Sequence, residues 1–185
     1  LKDYRYVMDF TTSTDLVQQA EVAVDALSVG LCRSATLGHF GSWDTHANND
    51  ELQSPLWENL FSGLGQLMAL LDETPGTQAS SLAKETVVVV LSEMGRTPLL
   101  NGTLGKDHWP FTSLMMLGPG LTTNRVVGGY DGGYMGKNIR FSDGSIDDGG
   151  QLLTSEAVGA TLLTLMGVDP TPYVSGTSAI TGLLT

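Results

Sequence analysis

Cysteine occurs once in this 185-residue chain, basic residues are scarce and no apolar run is long, and each shortage removes a class of function. With Cys32 alone, neither an internal disulfide framework nor a cysteine-based zinc cluster can form, and its apolar surroundings predict a buried thiol. Nine Lys and Arg residues stand against 20 Asp and Glu, a net charge of −11. Nothing basic is then available to neutralise a nucleic-acid backbone or an anionic membrane surface. A small anionic substrate needs a local positive centre, either a metal ion or Arg96. No uninterrupted apolar stretch reaches the ~18 residues that span a bilayer, and no charged-then-apolar signal segment opens the chain. The first residue is Leu1 rather than Met, so an N-terminal part missing or processed away is the expectation.

What is present is enough apolar residue, 41% of the chain, to bury one sizeable core, and hence one domain or a large part of one. Residues 1–20 are mixed, with Tyr4, Tyr6 and Phe10 irregularly placed, and Ser13-Thr14-Asp15 are able to cap a helix from Leu16. Leu16, Ala20, Val24, Leu27 and Leu31 recur at helical spacing and predict a helix ending near Gly30. A strand is expected from about Leu31 to Phe40, which makes His39 structural. The segment from Ser42 to Asp50 is polar, rich in ligand-type side chains and without hydrophobic periodicity.

A second helix is predicted from about Pro55 to Asp72, on the stripe Leu56, Leu60, Leu64, Leu67, Leu70 and Leu71. The run Val87-Val88-Val89-Val90 lacks alternation, so it reads as a strand buried on both faces. The order helix, strand, helix, strand favours a parallel α/β sheet. The link to the next apolar run, Thr112 to Leu117, has no helical segment. That run is therefore an antiparallel strand or a non-neighbouring one reached by a long loop. Residues 124–150 read as a glycine-rich excursion with short strands, and Thr154-Ser155-Glu156 opens a helix that Gly167 ends.

Three strand-end loops carry the candidate chemistry. Asp44 and His46 are two residues apart and converge on one ion if the backbone is extended; the bland alternative is a capped turn, with Trp43 beside it as a packing wall. Glu93 leaves the valine strand, where it must face solvent, pair with Arg96 or bind a cation. Arg96 otherwise has the geometry to grip a phosphate or sulfate with two parallel hydrogen bonds. His108 lies between Asp107 and Trp109-Pro110, a structural histidine or a ligand. In open α/β sheets ligands bind at the carboxyl ends of the strands, which would bring these loops together. Oxygen and nitrogen donors without thiolate fit zinc, manganese, iron or calcium.

The strings Gly-Ser-Trp-Asp-Thr-His-Ala-Asn-Asn, Val-Val-Val-Val-Leu-Ser-Glu-Met-Gly-Arg-Thr-Pro, Gly-Lys-Asp-His-Trp-Pro, Gly-Pro-Gly and Val-Val-Gly-Gly come in that order. Together they resemble a bacterial family of sulfatase-like proteins, domain of unknown function 1501, placed in the alkaline-phosphatase superfamily. The resemblance covers roughly residues 20–170. It implies a three-layer α/β/α sandwich, mostly parallel with an antiparallel strand, of which residues 1–185 form the C-terminal portion of a single domain. By the same resemblance Asp44, His46, Glu93 and His108 match metal ligands; zinc is the foremost candidate ion, and Asp107 is expected to orient His108, as metal-bound imidazoles usually require. Met94 stands where the superfamily often has His or Asn, which supports one metal centre better than two.

The reading that follows is a metal-dependent hydrolase of phosphate or sulfate esters. Arg96 stabilises the transferred group, and a small anionic ester is the substrate. The nucleophile is expected in an N-terminal portion or a separate completing chain. Export to the periplasm or outside the cell is implied by the family. A secreted, non-catalytic binding or surface-assembly protein on the same scaffold is the alternative, since fold alone does not imply turnover. The strings expected of a phosphoglycerate-mutase-like isomerase are not seen.

Overall fold

A computed structural model describes residues 15–38 and 41–185. The expectations for Tyr4, Tyr6, Phe10, Ser13, Thr14, His39 and Phe40 lie outside the described residues. The elements run α1 (Leu16–Ser28), α2 (Asn49–Glu73), a 3₁₀ turn at Leu82–Lys84, β1 (Val88–Val90), β2 (Gly95–Arg96), β3 (His108–Trp109), β4 (Met115–Leu117), α3 (Ser155–Leu165) and a 3₁₀ turn at Thr181–Leu183. β1 pairs with β4 and β2 with β3. Two compact units divide the chain, Leu1–Val88 with Leu99–His108, and Val89–Pro98 with Trp109–Thr185. Among the described residues no helix is long and apolar enough to cross a membrane.

In the first unit α1 starts because the Asp15 carboxylate accepts from the amides of Val17 at 2.8 Å and Gln18 at 3.3 Å, two donors with no partner inside the helix. Its buried residues Ala20, Ala23 and Val24 fall on one face at helical spacing, and α1 packs on α2, which buries Leu64, Leu67 and Leu71. Small residues on α1 let the larger leucines of α2 fill the space between the helices. α2 starts at Asn49, six residues before Pro55, which lies inside the helix. The cause is distant in sequence: the amides of Asn48 and Asn49 donate to the carbonyls of Thr103 (3.1 Å) and Leu104 (2.8 Å), so another loop caps the first turn.

Residues 31–38 carry no strand. The Gln19 side chain takes their place in the hydrogen-bond pattern: its Oε1 accepts from the Gly38 amide at 2.8 Å and its Nε2 donates to the Gly38 carbonyl at 2.9 Å. An α1 amide thus satisfies both backbone groups that a neighbouring strand would have used. Cys32 is half-buried and free, so the fully buried thiol expected from its neighbours is not what the fold provides. The valines of β1 are half-buried rather than enclosed on both faces, with β4 as their hydrogen-bonded partner.

The second unit is built around Ile139, Phe141, Ala157 and Ile180, with Val127, Leu153 and Leu183 packed against them. Thr154 caps α3 by accepting from the Ala157 amide at 3.2 Å, and Gly167, at a φ of 71°, turns the chain out of the helix. Thr161, 1% exposed, donates to the Ala157 carbonyl at 2.7 Å and accepts from the Ile180 amide at 2.9 Å, fastening the C-terminal segment to α3. The glycine-rich stretch holds isolated antiparallel bridges, Tyr130 with Gly136 and Ile139 with both Ile146 and Gln151. Arg140 joins Asp143 at 3.2 Å and Asp147 at 2.6 Å. The Arg140 guanidinium is the main reason that the Asp147 carboxyl titrates below its usual range. For Asp143 the Ser145 hydroxyl comes first, and Asp131 is lowered mainly by the Met135 amide.

Candidate metal centre

The segment before α2 is anchored to that helix at Trp43 and Thr45. Gln53 of α2 donates through Nε2 to the Trp43 carbonyl at 3.0 Å and to Thr45 Oγ1 at 2.9 Å. Thr45, 2% exposed, in turn donates to Asn49 Oδ1 at 2.8 Å. Trp43 packs edge-on against Trp57 with centroids 4.9 Å apart, the packing role its neighbours predict. Asp44 and His46 are left at the surface between these anchors.

The loop 101–107 brings His108 to them. Lys106 N–H donates to the Thr45 carbonyl at 3.0 Å, and Ala47 forms an antiparallel bridge with Leu104. The Asn101 side chain donates through Nδ2 to the His46 carbonyl at 3.1 Å and to Asp107 Oδ1 at 3.0 Å. Thr103 Oγ1 donates to the same His46 carbonyl at 2.8 Å. Gly105 makes the close approach possible, since a Cβ there would lie 1.9 Å from the His46 carbonyl carbon.

The result is a convergence on one oxygen. His108 Nε2 lies 3.0 Å and His46 Nδ1 3.3 Å from Asp44 Oδ1, and the two rings are 4.9 Å apart between centroids. Among the described residues this is the group of three whose ligand atoms all fall within 4.8 Å of one another. With metal–ligand bonds of about 2.0–2.2 Å, the edges of a tetrahedral zinc site are about 3.3–3.6 Å, and octahedral edges are somewhat shorter. The two measured separations sit at that scale. The side chains are 46% (His46), 52% (His108) and 64% (Asp44) exposed, so solvent or a ligand reaches them. Two imidazoles and one carboxylate with open positions is the donor set of an ion that keeps exchangeable ligands.

The remaining predicted residues are not members of this group of three. Glu93 is exposed in the segment between β1 and β2, and Arg96 is half-buried in β2; both belong to the second unit. Next to Glu93, the Ser92 hydroxyl donates to the Met94 carbonyl at 3.2 Å, forming a local turn. Asp107 is exposed and accepts from Asn101. Sequence reasoning did not single out Asn101, Gln53 or Gly105. The Asn101-Gly102 pair signals only a turn, and nothing local marks Gln53, whose partners lie ten and eight residues back.

A family model described as a protein of unknown function, DUF1501, matches residues 13–180. No curated protein and no solved structure matches the chain.

Proposed function

The chain belongs to the DUF1501 family of proteins of unknown function, and from that footing we propose that Asp44, His46 and His108 bind a divalent metal ion, zinc foremost, in a hydrolase of phosphate or sulfate esters. The observation that carries the reading is the approach of two imidazole nitrogens to Asp44 Oδ1 at 3.0 and 3.3 Å. A bound dication supplies Lewis acidity and a coordinated water of lowered pKa. The side chains of the protein do the rest. Asp44, His46 and His108 would hold the ion, and their exposed side chains are open to a substrate.

Glu93 as a further ligand, Arg96 as the guanidinium that grips the transferred group and Asp107 as a support of His108 belong to the same proposal on the strength of the sequence. So does the wider expectation of an alkaline-phosphatase-like α/β/α sandwich, completed by an N-terminal portion or separate chain and exported from the cytoplasm. The half-exposed cluster favours a second reading as well: a surface that captures a metal or anion without turnover, because an open site does not exclude water from the reacting centre.

Elemental analysis of the protein as isolated, zinc titration calorimetry and hydrolysis of nitrophenyl phosphate and nitrophenyl sulfate separate these readings. The hydrolase predicts about one equivalent of metal and turnover, both lost in a His46→Ala/His108→Ala variant. Metal bound without turnover of any ester supports the second reading. A wild type that neither contains nor takes up metal sinks both.

A further inference from the structure

We propose that Asn101 is a positioning residue of this metal centre, its amide fixing the spacing between the segment that carries Asp44 and His46 and the segment that carries His108. The inference rests on the metal reading and adds to it a residue that touches no ligand atom. Asn101 lies 55 residues after His46 and six before Asp107, so it belongs to neither ligand motif. Its Nδ2 donates at once to the His46 carbonyl (3.1 Å) and to the carboxylate of Asp107 (3.0 Å), the residue before His108. Its Oδ1 accepts from the Thr103 amide (3.0 Å) and the Gly105 amide (2.9 Å), and shares with the His46 carbonyl the single proton of the Thr103 hydroxyl (2.8 Å).

This uses the whole capacity of a carboxamide. Both N–H donors face acceptors and the oxygen faces donors, so the orientation of the amide follows from its partners. No other side chain of this size offers both. Aspartate keeps the three accepted bonds and loses both donated ones; alanine loses all five. The backbone contacts Lys106 to Thr45 and Ala47 to Leu104 bring the two segments side by side. The Asn101 side chain bonds to the backbone of one ligand and to the immediate neighbour of another. Groups one bond beyond metal ligands commonly change metal affinity 10–100-fold when removed.

The test compares wild type, Asn101→Ala, Asn101→Asp and, as a destabilised control in the second unit, Thr161→Val. Zinc affinity is measured by chelator competition, and the visible ligand-field spectrum is recorded after loading with Co²⁺. Asn101→Ala is expected to bind zinc about 10–100-fold more weakly and to shift the cobalt bands. Asn101→Asp keeps the accepted bonds, sets a carboxylate against that of Asp107 in place of a donated bond, and shows a shift of the cobalt bands as well. Thr161→Val leaves affinity and spectrum unchanged. Wild-type affinity and wild-type cobalt bands in both Asn101 variants overturn the inference while leaving the metal site standing. A wild type that binds neither zinc nor cobalt removes the metal reading and this inference with it.

Discussion

Replacing Gly105 by alanine tests the geometry of the site most severely. The new Cβ would meet the His46 carbonyl carbon at 1.9 Å, its oxygen at 2.0 Å and the Ala47 nitrogen at 2.3 Å, whereas ordinary contact begins near 3.4 Å. All three are backbone atoms, which cannot swing aside as a side-chain end can. The loop must therefore retreat by about 1.5 Å from the His46 segment, the difference between 1.9 and 3.4 Å. Such overpacking costs about 1–3 kcal/mol. The His46 carbonyl also loses its bonds from Asn101 and Thr103, each worth about 0.5–1.5 kcal/mol. A total loss of about 2–6 kcal/mol is expected from these two effects. Metal ligands need placement within about 0.5 Å, so zinc affinity should fall by at least tenfold in the fraction that remains folded. The control is Gly102→Ala, three residues earlier in the same loop, where a Cβ meets nothing within 4 Å. Urea unfolding and zinc competition on both variants give the answer. If Gly105→Ala matches Gly102→Ala in midpoint and affinity, the close approach of the loop to His46 is wrong.

Four further substitutions test local contacts. Thr161→Val keeps the shape of a 1% exposed side chain but orphans the Ile180 amide, so about 1–3 kcal/mol should be lost in chemical denaturation. Thr164→Val removes only a bond back to the Ala160 carbonyl and should cost clearly less; equal losses would mean the Thr161–Ile180 bond contributes nothing. Asp15→Ala deletes the cap that accepts from Val17 and Gln18 and should cost about 1 kcal/mol, read from the urea midpoint. Asp143 and Asp147 titrate below the ordinary value of 3.8 when folded, so their contribution is present above that value and disappears as pH falls through their folded range. Acid unfolding of Arg140→Met should show a shallower pH dependence, chiefly through Asp147, and an unchanged slope would refute the role of the guanidinium.

The parts of the molecule legible in the sequence are those whose cause lies within a few residues. α1 and α3 begin where Asp15 and Thr154 predict, because a cap acts on amides two or three positions away. Asp44, His46 and His108 stand out as polar side chains in loops, and the structure gathers them. The illegible parts depend on distant partners. The start of α2 is set by Thr103 and Leu104, and the missing strand at 31–38 reflects the hold of Gln19 on Gly38. Asn101 carries no local mark beyond a turn signal, since its significance comes from what the fold sets opposite its amide. The valine run has strand propensity, yet its enclosure on both faces depended on neighbours that composition does not specify.

The bonds from Asn48 and Asn49 to the 103–104 loop also impose an order in time. A ribosome adds about 5–20 residues per second, so the loop that closes the head of α2 is made about 3–11 s after that head has been synthesised. Until then the amides of Asn48 and Asn49 lack the carbonyls they use in the folded protein. Under the proposed metal reading, the donor set of Asp44, His46 and His108 is complete only once His108 has been added, about 3–12 s after His46.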